Sequence, residues 1–243
     1  MPIACGPRHM SSLGLAPMIA AALFDFHDTL AHLQASTNSI VASAIGVSES
    51  ACRSAWLQVE ARIRERQETT EWPPPPDQRW PLIYSWMFEF LGVDGDPAQP
   101  LAVLQGFFQD PDNYGLFDDA IPTLERFAES GLAIGIVSNS DFDLWPVLKK
   151  LGIDTLVDIA LPTISLGIEK PHPEAYRSAC RELGVAPQDA VFIGDNVELD
   201  GYGALAAGLR PILIDREGIH QNLALAFPVV TDLLAAWPLV TPR

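Results

Sequence analysis

The strongest constraint on this chain is the recurrence of four short, almost uninterrupted apolar runs, at residues 18–26, 132–137, 190–193 and 211–214. Each ends in polar residues, and the last three follow amphipathic stretches of helical length. Strands covered on both faces read as continuous apolar runs rather than alternating ones. Strand and helix in alternation imply right-handed crossovers and an open parallel sheet with helices on both faces, an α/β fold. A site on such a sheet belongs at the carboxyl ends of the strands.

Between residues 31 and 115 the pattern becomes helical, with amphipathic periods at 36–45, 49–71, 80–91 and 100–109. The break Pro73-Pro74-Pro75-Pro76 cannot be helix and stiffens a connection. The expected organisation is a core of residues 18–30 and 116–243, a small α-helical domain of residues 31–115 inserted after the first strand, and a loose tail of residues 1–17. A chain of 243 residues, 48% hydrophobic and 19% charged, suffices for one good core and a smaller companion. The apolar stretch at 13–26 has one basic residue before it and no cleavage-like break, so its second half reads as a buried strand rather than a secretion signal. Met10 and Met18 are alternative starts to Met1.

Acidic residues outnumber basic ones 31 to 15, a formal charge of −16. That field repels polyanions and argues against nucleic acid or an anionic membrane surface as partner, so an anionic ligand must meet local positive charge. Cys5, Cys52 and Cys180 are scattered and lack the spacing of a zinc or redox site, which fits a reducing cytoplasm. Oligomeric state leaves no mark in the sequence.

Four segments carry chemistry, each expected at the end of a strand. Phe24-Asp25-Phe26-His27-Asp28-Thr29-Leu30 places a carboxylate at a strand end, aimed above the sheet. Ile136-Val137-Ser138-Asn139-Ser140 offers a hydroxyl and an amide to a bound anion. Gly167-Ile168-Glu169-Lys170-Pro171 offers an ammonium. Val191-Phe192-Ile193-Gly194-Asp195-Asn196-Val197-Glu198-Leu199-Asp200 gathers oxygen ligands suited to a hard cation such as Mg2+.

In this order and context the four segments resemble the signature motifs of the haloacid dehalogenase superfamily, with the helical insertion where that family carries its cap. The resemblance spans nearly the whole chain. It implies a Rossmann-like core and a covalent intermediate on Asp25. Ser138, Asn139 and Lys170 fall at positions that bind the transferring group. Asp25, the main-chain carbonyl of His27 and Asp195 match the Mg2+ ligands, and Asp200 matches the acid that supports or completes the metal site. The substrate class implied is a small phosphorylated molecule.

The departure lies at His27, where the family's phosphatases carry a second aspartate that protonates the leaving oxygen and then activates water. An imidazole with an ordinary pKa of about 6.5 is suited to both transfers near neutral pH. The neighbouring Asp28 replaces a glycine. It is one residue out of phase to supply the missing carboxylate and reads instead as a turn residue with an unusual backbone angle. Two branches of the family also lack the second aspartate. Its halide-releasing dehalogenases dispense with Mg2+ and typically with the Gly-Asp pair, whereas this chain keeps Gly194-Asp195 and Asp200. Its phosphonoacetaldehyde hydrolases need a cap lysine, and the only lysines here are Lys149, Lys150 and Lys170, all outside the insertion. The expectation is a Mg2+-dependent phosphatase with His27 as acid/base. The alternatives are a 2-haloacid dehalogenase and a phosphate-binding regulatory protein whose site no longer turns over.

In the insertion, Arg62, Arg64 and Arg66 alternate with Glu60, Glu65 and Glu68 and read as a solvated, ion-paired helix face. The aromatic set Trp80, Tyr84, Trp86, Phe88, Phe90, Phe107 and Phe108 reads as the insertion's own core, with one or two rings facing the cleft. Tyr176 and Cys180 share a helix face and read as packing.

Overall fold

The computed structural model describes residues 19–67, 74, 76–164, 167–220 and 223–240. The chain runs β1 (Ala21–Phe24), β2 (Ala31–Leu33), α1 (Thr37–Ile45), α2 (Glu49–Gln67), α3 (Pro76–Leu91), α4 (Ala98–Gln109), β3 (Tyr114–Leu116), α5 (Ala120–Glu129), β4 (Ala133–Ser138), α6 (Trp145–Leu151), β5 (Ile159–Pro162), α7 (Pro173–Leu183), β6 (Ala190–Gly194), α8 (Gly203–Ala207), β7 (Arg210–Ile214), β8 (Val229–Val230) and α9 (Trp237–Val240). The expected tail, the alternative starts and half of the proline break, Pro73 and Pro75, lie outside the described residues, whereas Pro76, expected to be non-helical, is the first residue of α3, where a proline's missing N–H costs no helical hydrogen bond.

Six strands form one parallel sheet in the order β5-β4-β1-β6-β7-β8. Strand β1 is central, with Phe24 in register with Ile136 on one side and Ile193 on the other. Its residues are buried on both faces. Ala22 and Phe24 pack with Phe127 and Ile136, while Ala21 and Leu23 pack with Tyr176 and Phe192. This two-sided burial is the physical reason for the unbroken apolar runs. Tyr176 and Cys180 sit in the second cluster as packing residues. The edge strands β5 and β8 leave no apolar run in the sequence. β5 alternates buried and half-buried residues over four positions, and β8 is two residues long.

Helices α1 to α4 pack around their own cluster, which includes Val41, Cys52, Val59, Ile83, Met87 and Leu104. Ser36 caps α1 by accepting from the Ser39 amide, and Gly46 stops it in the left-handed region at φ 75°. The insertion leaves and re-enters the core through an antiparallel β2–β3 pair, Ala31 opposite Leu116. Among the described residues, no helix is long and apolar enough to cross a membrane.

Candidate active site

Asp25 follows β1 directly, and its amide donates to the Ile193 carbonyl at 2.9 Å, which fixes the carboxylate above the sheet edge. Ser138 closes β4, Asp195 follows β6, and Lys170 comes from the loop beyond β5. The parallel register brings these ends together. Carboxylate oxygens of Asp25, Asp195 and Asp200 all lie within 4.8 Å of one another. The Lys170 ammonium sits between two of them, 2.5 Å from Asp25 Oδ1 and 2.7 Å from Asp200 Oδ1, in a site where Lys170 is 4% exposed.

The electrostatics follow from crowding. Burial, reinforced by Asp25, Asp200 and Asp28, pushes the Asp195 carboxyl up to about 7. Asp200 is also raised by burial, against the opposing pull of Lys170. Burial works against the Lys170 ammonium, but Asp25 and Asp200 outweigh it and hold the pKa above the usual lysine range. Three buried acids, whose mutual repulsion adds to burial in raising Asp195, with one ammonium among them, suit a divalent cation. The oxygen-only donor set suits Mg2+ among others. Gly194 is required here, because a Cβ at that position would collide with the Asp200 carboxylate. Asp200 is further held by accepting from the Asn196 amide at 2.9 Å.

His27 stands on the turn after Asp25. Its Nε2 lies 3.2 Å from Tyr114 Oη, and its Nδ1 lies 3.4 Å from Ser138 Oγ. Tyr114 donates its single hydroxyl hydrogen to the Phe108 carbonyl at 2.9 Å. It therefore accepts from His27, which assigns the proton to Nε2 and the lone pair to Nδ1. Burial lowers the His27 pKa to about 4, with Asp28 opposing and Lys170 adding to the effect, so the ring is neutral at pH 7. Asp28 adopts φ 56°, the left-handed angle that glycine would take, and its side chain is exposed. This is the turn role expected for it.

Ser138 is buried, 1% exposed, and its Oγ is also 2.8 Å from Ser140 Oγ. The Asn139 amide is committed to the Lys170 backbone, its Oδ1 accepting from the Lys170 amide at 2.8 Å and its Nδ2 donating to the Lys170 carbonyl at 3.0 Å. Two supports left no sequence signal. Tyr114 is 87 residues from His27. Arg216 clamps Asp119 through its two terminal guanidinium nitrogens and donates to the Thr29 carbonyl at 2.8 Å, holding the first turn from the far end of the chain.

Above the site, between the helical insertion and the sheet edge, lies a cavity of about 420 Å³ with His27, Asp28, Asn139 and Ser140 at its floor. Trp80, Tyr84 and Phe108 of the insertion's aromatic set face it. Arg62 pairs across to Glu89 of α3 at 2.6 Å and stacks on Phe90, not with an acid of its own helix as expected, whereas Arg64 makes the expected i,i+4 contact with Glu60 at 4.0 Å.

The family model for haloacid dehalogenase-like hydrolases matches residues 19–208. The chain belongs to the haloacid dehalogenase-like hydrolase family. It is an enzyme of hydrolase type with phosphatases among its relatives. Over 208 residues, 85% of this chain and 88% of the relative, it is 30% identical to the glyceraldehyde 3-phosphate phosphatase of Methanopyrus kandleri. Over 129 residues, 51% of this chain and 54% of the relative, it is 34% identical to (S)-2-haloacid dehalogenase 4A of Burkholderia cepacia. The fold is similar to that of the HAD-hydrolase YfnB from Bacillus subtilis, solved bound to magnesium. That likeness has a TM-score of 0.75 at 14% identity over 93% of this chain and 100% of that one. The comparisons thus agree with the resemblance carried by the four segments, and they include both phosphatases and dehalogenases.

Proposed function

We propose that this haloacid dehalogenase-like hydrolase is a Mg2+-dependent phosphatase that hydrolyses a small-molecule phosphate monoester through an aspartyl phosphate on Asp25. The observation that carries the reading is the Asp25, Asp195 and Asp200 cluster with Lys170 lodged in it. Attack on a carbon centre needs no such concentration of acids, whereas a dianionic phosphoryl group needs a cation beside its nucleophile. Asp25, Asp195 and the main-chain carbonyl of His27 would hold Mg2+, with Asp200 completing or supporting the set. When bound, the ion offsets phosphoryl charge.

Asp25 attacks phosphorus in line with the leaving oxygen. Lys170, kept in place by Asp200 and by Asn139 on its backbone, shifts from Asp25 to an equatorial phosphoryl oxygen, and the Ser138 hydroxyl takes another. In the second step water attacks the aspartyl phosphate and gives its proton to Nδ1 of neutral His27. The first step asks for a protonated ring, which His27 holds poorly, so departure of an alkyl alcohol is slow, whereas an aryl oxide leaves without that proton and lets the aspartyl phosphate accumulate. Residues 31–115 act as the cap, closing over the alcohol and excluding water, while 18–30 and 116–243 form the core. A reducing cytoplasm is the proposed setting, in keeping with the free, buried thiols of Cys52 and Cys180.

The Burkholderia cepacia relative favours a second reading, a 2-haloacid dehalogenase, which predicts halide release in the presence of a chelator. Acid quenching during turnover of an aryl phosphate separates the two. The phosphatase leaves one phosphoryl mass on the peptide carrying Asp25, and its absence under conditions of steady turnover counts against the proposal.

A further inference from the structure

We infer that the alcohol half of the substrate is apolar and carries no second anionic group, an inference that rests on the phosphatase reading. The cavity above His27 is walled by Trp56, Trp80, Tyr84, Met87, Leu104 and Phe108, and its volume of about 420 Å³ falls within the range of sites that enclose a small organic group. Among the described residues its charged wall groups are Asp28 and Asp141, and no lysine or arginine lines it. The nearby cations are occupied. Arg79 pairs with Glu169 at 2.8 Å, and Lys170 serves the phosphoryl end. A carboxylate brought into this space would lose water, meet two like charges and find no cation. An aromatic or alkyl group would instead bury its surface against rings and aliphatic side chains, a favourable transfer. Asn38 and Gln105 leave room for one hydroxyl or carbonyl to be oriented, with Gln105 already donating to Asp141 at 3.0 Å across the cleft.

The test is calorimetric binding to the wild-type full chain in Mg2+, using two phosphonates whose carbon–phosphorus bond the enzyme does not cleave. 1-Naphthylmethylphosphonate is expected to bind at least roughly tenfold more tightly than 3-phosphonopropionate, a difference of about 1.4 kcal/mol. Gln105→Lys, at an exposed position on the cavity rim, is expected to tighten 3-phosphonopropionate several-fold and so narrow the gap. Equal or reversed affinities in wild type, or no saturable binding of the naphthyl compound, overturn the inference. So does a Gln105→Lys variant that leaves the ratio unmoved. Turnover is not read in this experiment. Failure of the phosphatase reading would show separately, as naphthyl phosphate that is never hydrolysed although the naphthyl phosphonate binds.

Discussion

The Lys170 ammonium lies 2.5 Å from Asp25 Oδ1, with both side chains nearly sealed from solvent. The carboxylate assigned as nucleophile is therefore masked by the residue assigned to the phosphoryl group, and substrate must compete for that contact.

Removing the ammonium leaves two buried carboxylates without their partner. Breaking a buried ion pair from one side costs about 3–5 kcal/mol. Lys170→Met is expected to lower stability to urea by an amount of that order without metal, to regain part of it with Mg2+, and to lose turnover in either case. Unchanged stability would mean that the ammonium is not neutralising the cluster.

Asp195 gives the pH dependence of the metal-free protein. Its folded pKa of about 7 is above the unfolded value of about 3.9. The folded state therefore binds the proton more tightly, and stability is lost as pH rises from about 4 through about 7. Mg2+ relieves the same repulsion at high pH and competes with protons at low pH. Thermal melts are expected to show a large Mg2+-induced rise in Tm at pH 8 and a small one at pH 5. An equal rise at both would place the metal elsewhere.

His27 is neutral at pH 7 because burial lowers its pKa to about 4, and its Nε2 proton is directed at Tyr114. A carboxyl group among the acids of this site would more readily carry a proton to the leaving oxygen. His27→Asp is expected to raise phosphate release from alkyl esters at pH 7 by roughly tenfold or more, within the range attributed to general acid catalysis. A fall in rate would show the imidazole to be the working acid.

The sheet was legible where burial leaves a one-dimensional mark. Strands β1, β4, β6 and β7 are continuous apolar runs because both faces are covered, whereas edge strand β5 has one thinly covered face and reads as loop. Asp25, Ser138, Lys170, Asp195 and Asp200 were visible because each belongs to a short segment at a strand end or in the loop beyond. What joins them was not. Tyr114 on His27, Arg216 on Thr29 and the Asn139 amide on the Lys170 backbone are contacts across long sequence separations with no local pattern. The protonation state of His27 was not legible for the same reason. An ordinary pKa of about 6.5 is a property of the residue type, whereas the lowered value comes from burial that only the fold supplies. Likewise, that Trp80, Tyr84 and Phe108 face the cavity while Phe90 lies under Arg62 depends on how the helices pack.

The central claim is that Asp25 is the nucleophile of a Mg2+-dependent phosphoryl transfer. The most direct measurement is phosphate release from an aryl phosphate by wild type and Asp25→Asn, each with Mg2+ and with a chelator. The account predicts release by wild type with Mg2+ alone, and none by the variant in either condition. Turnover that persists in chelator, or survives Asp25→Asn, would contradict it.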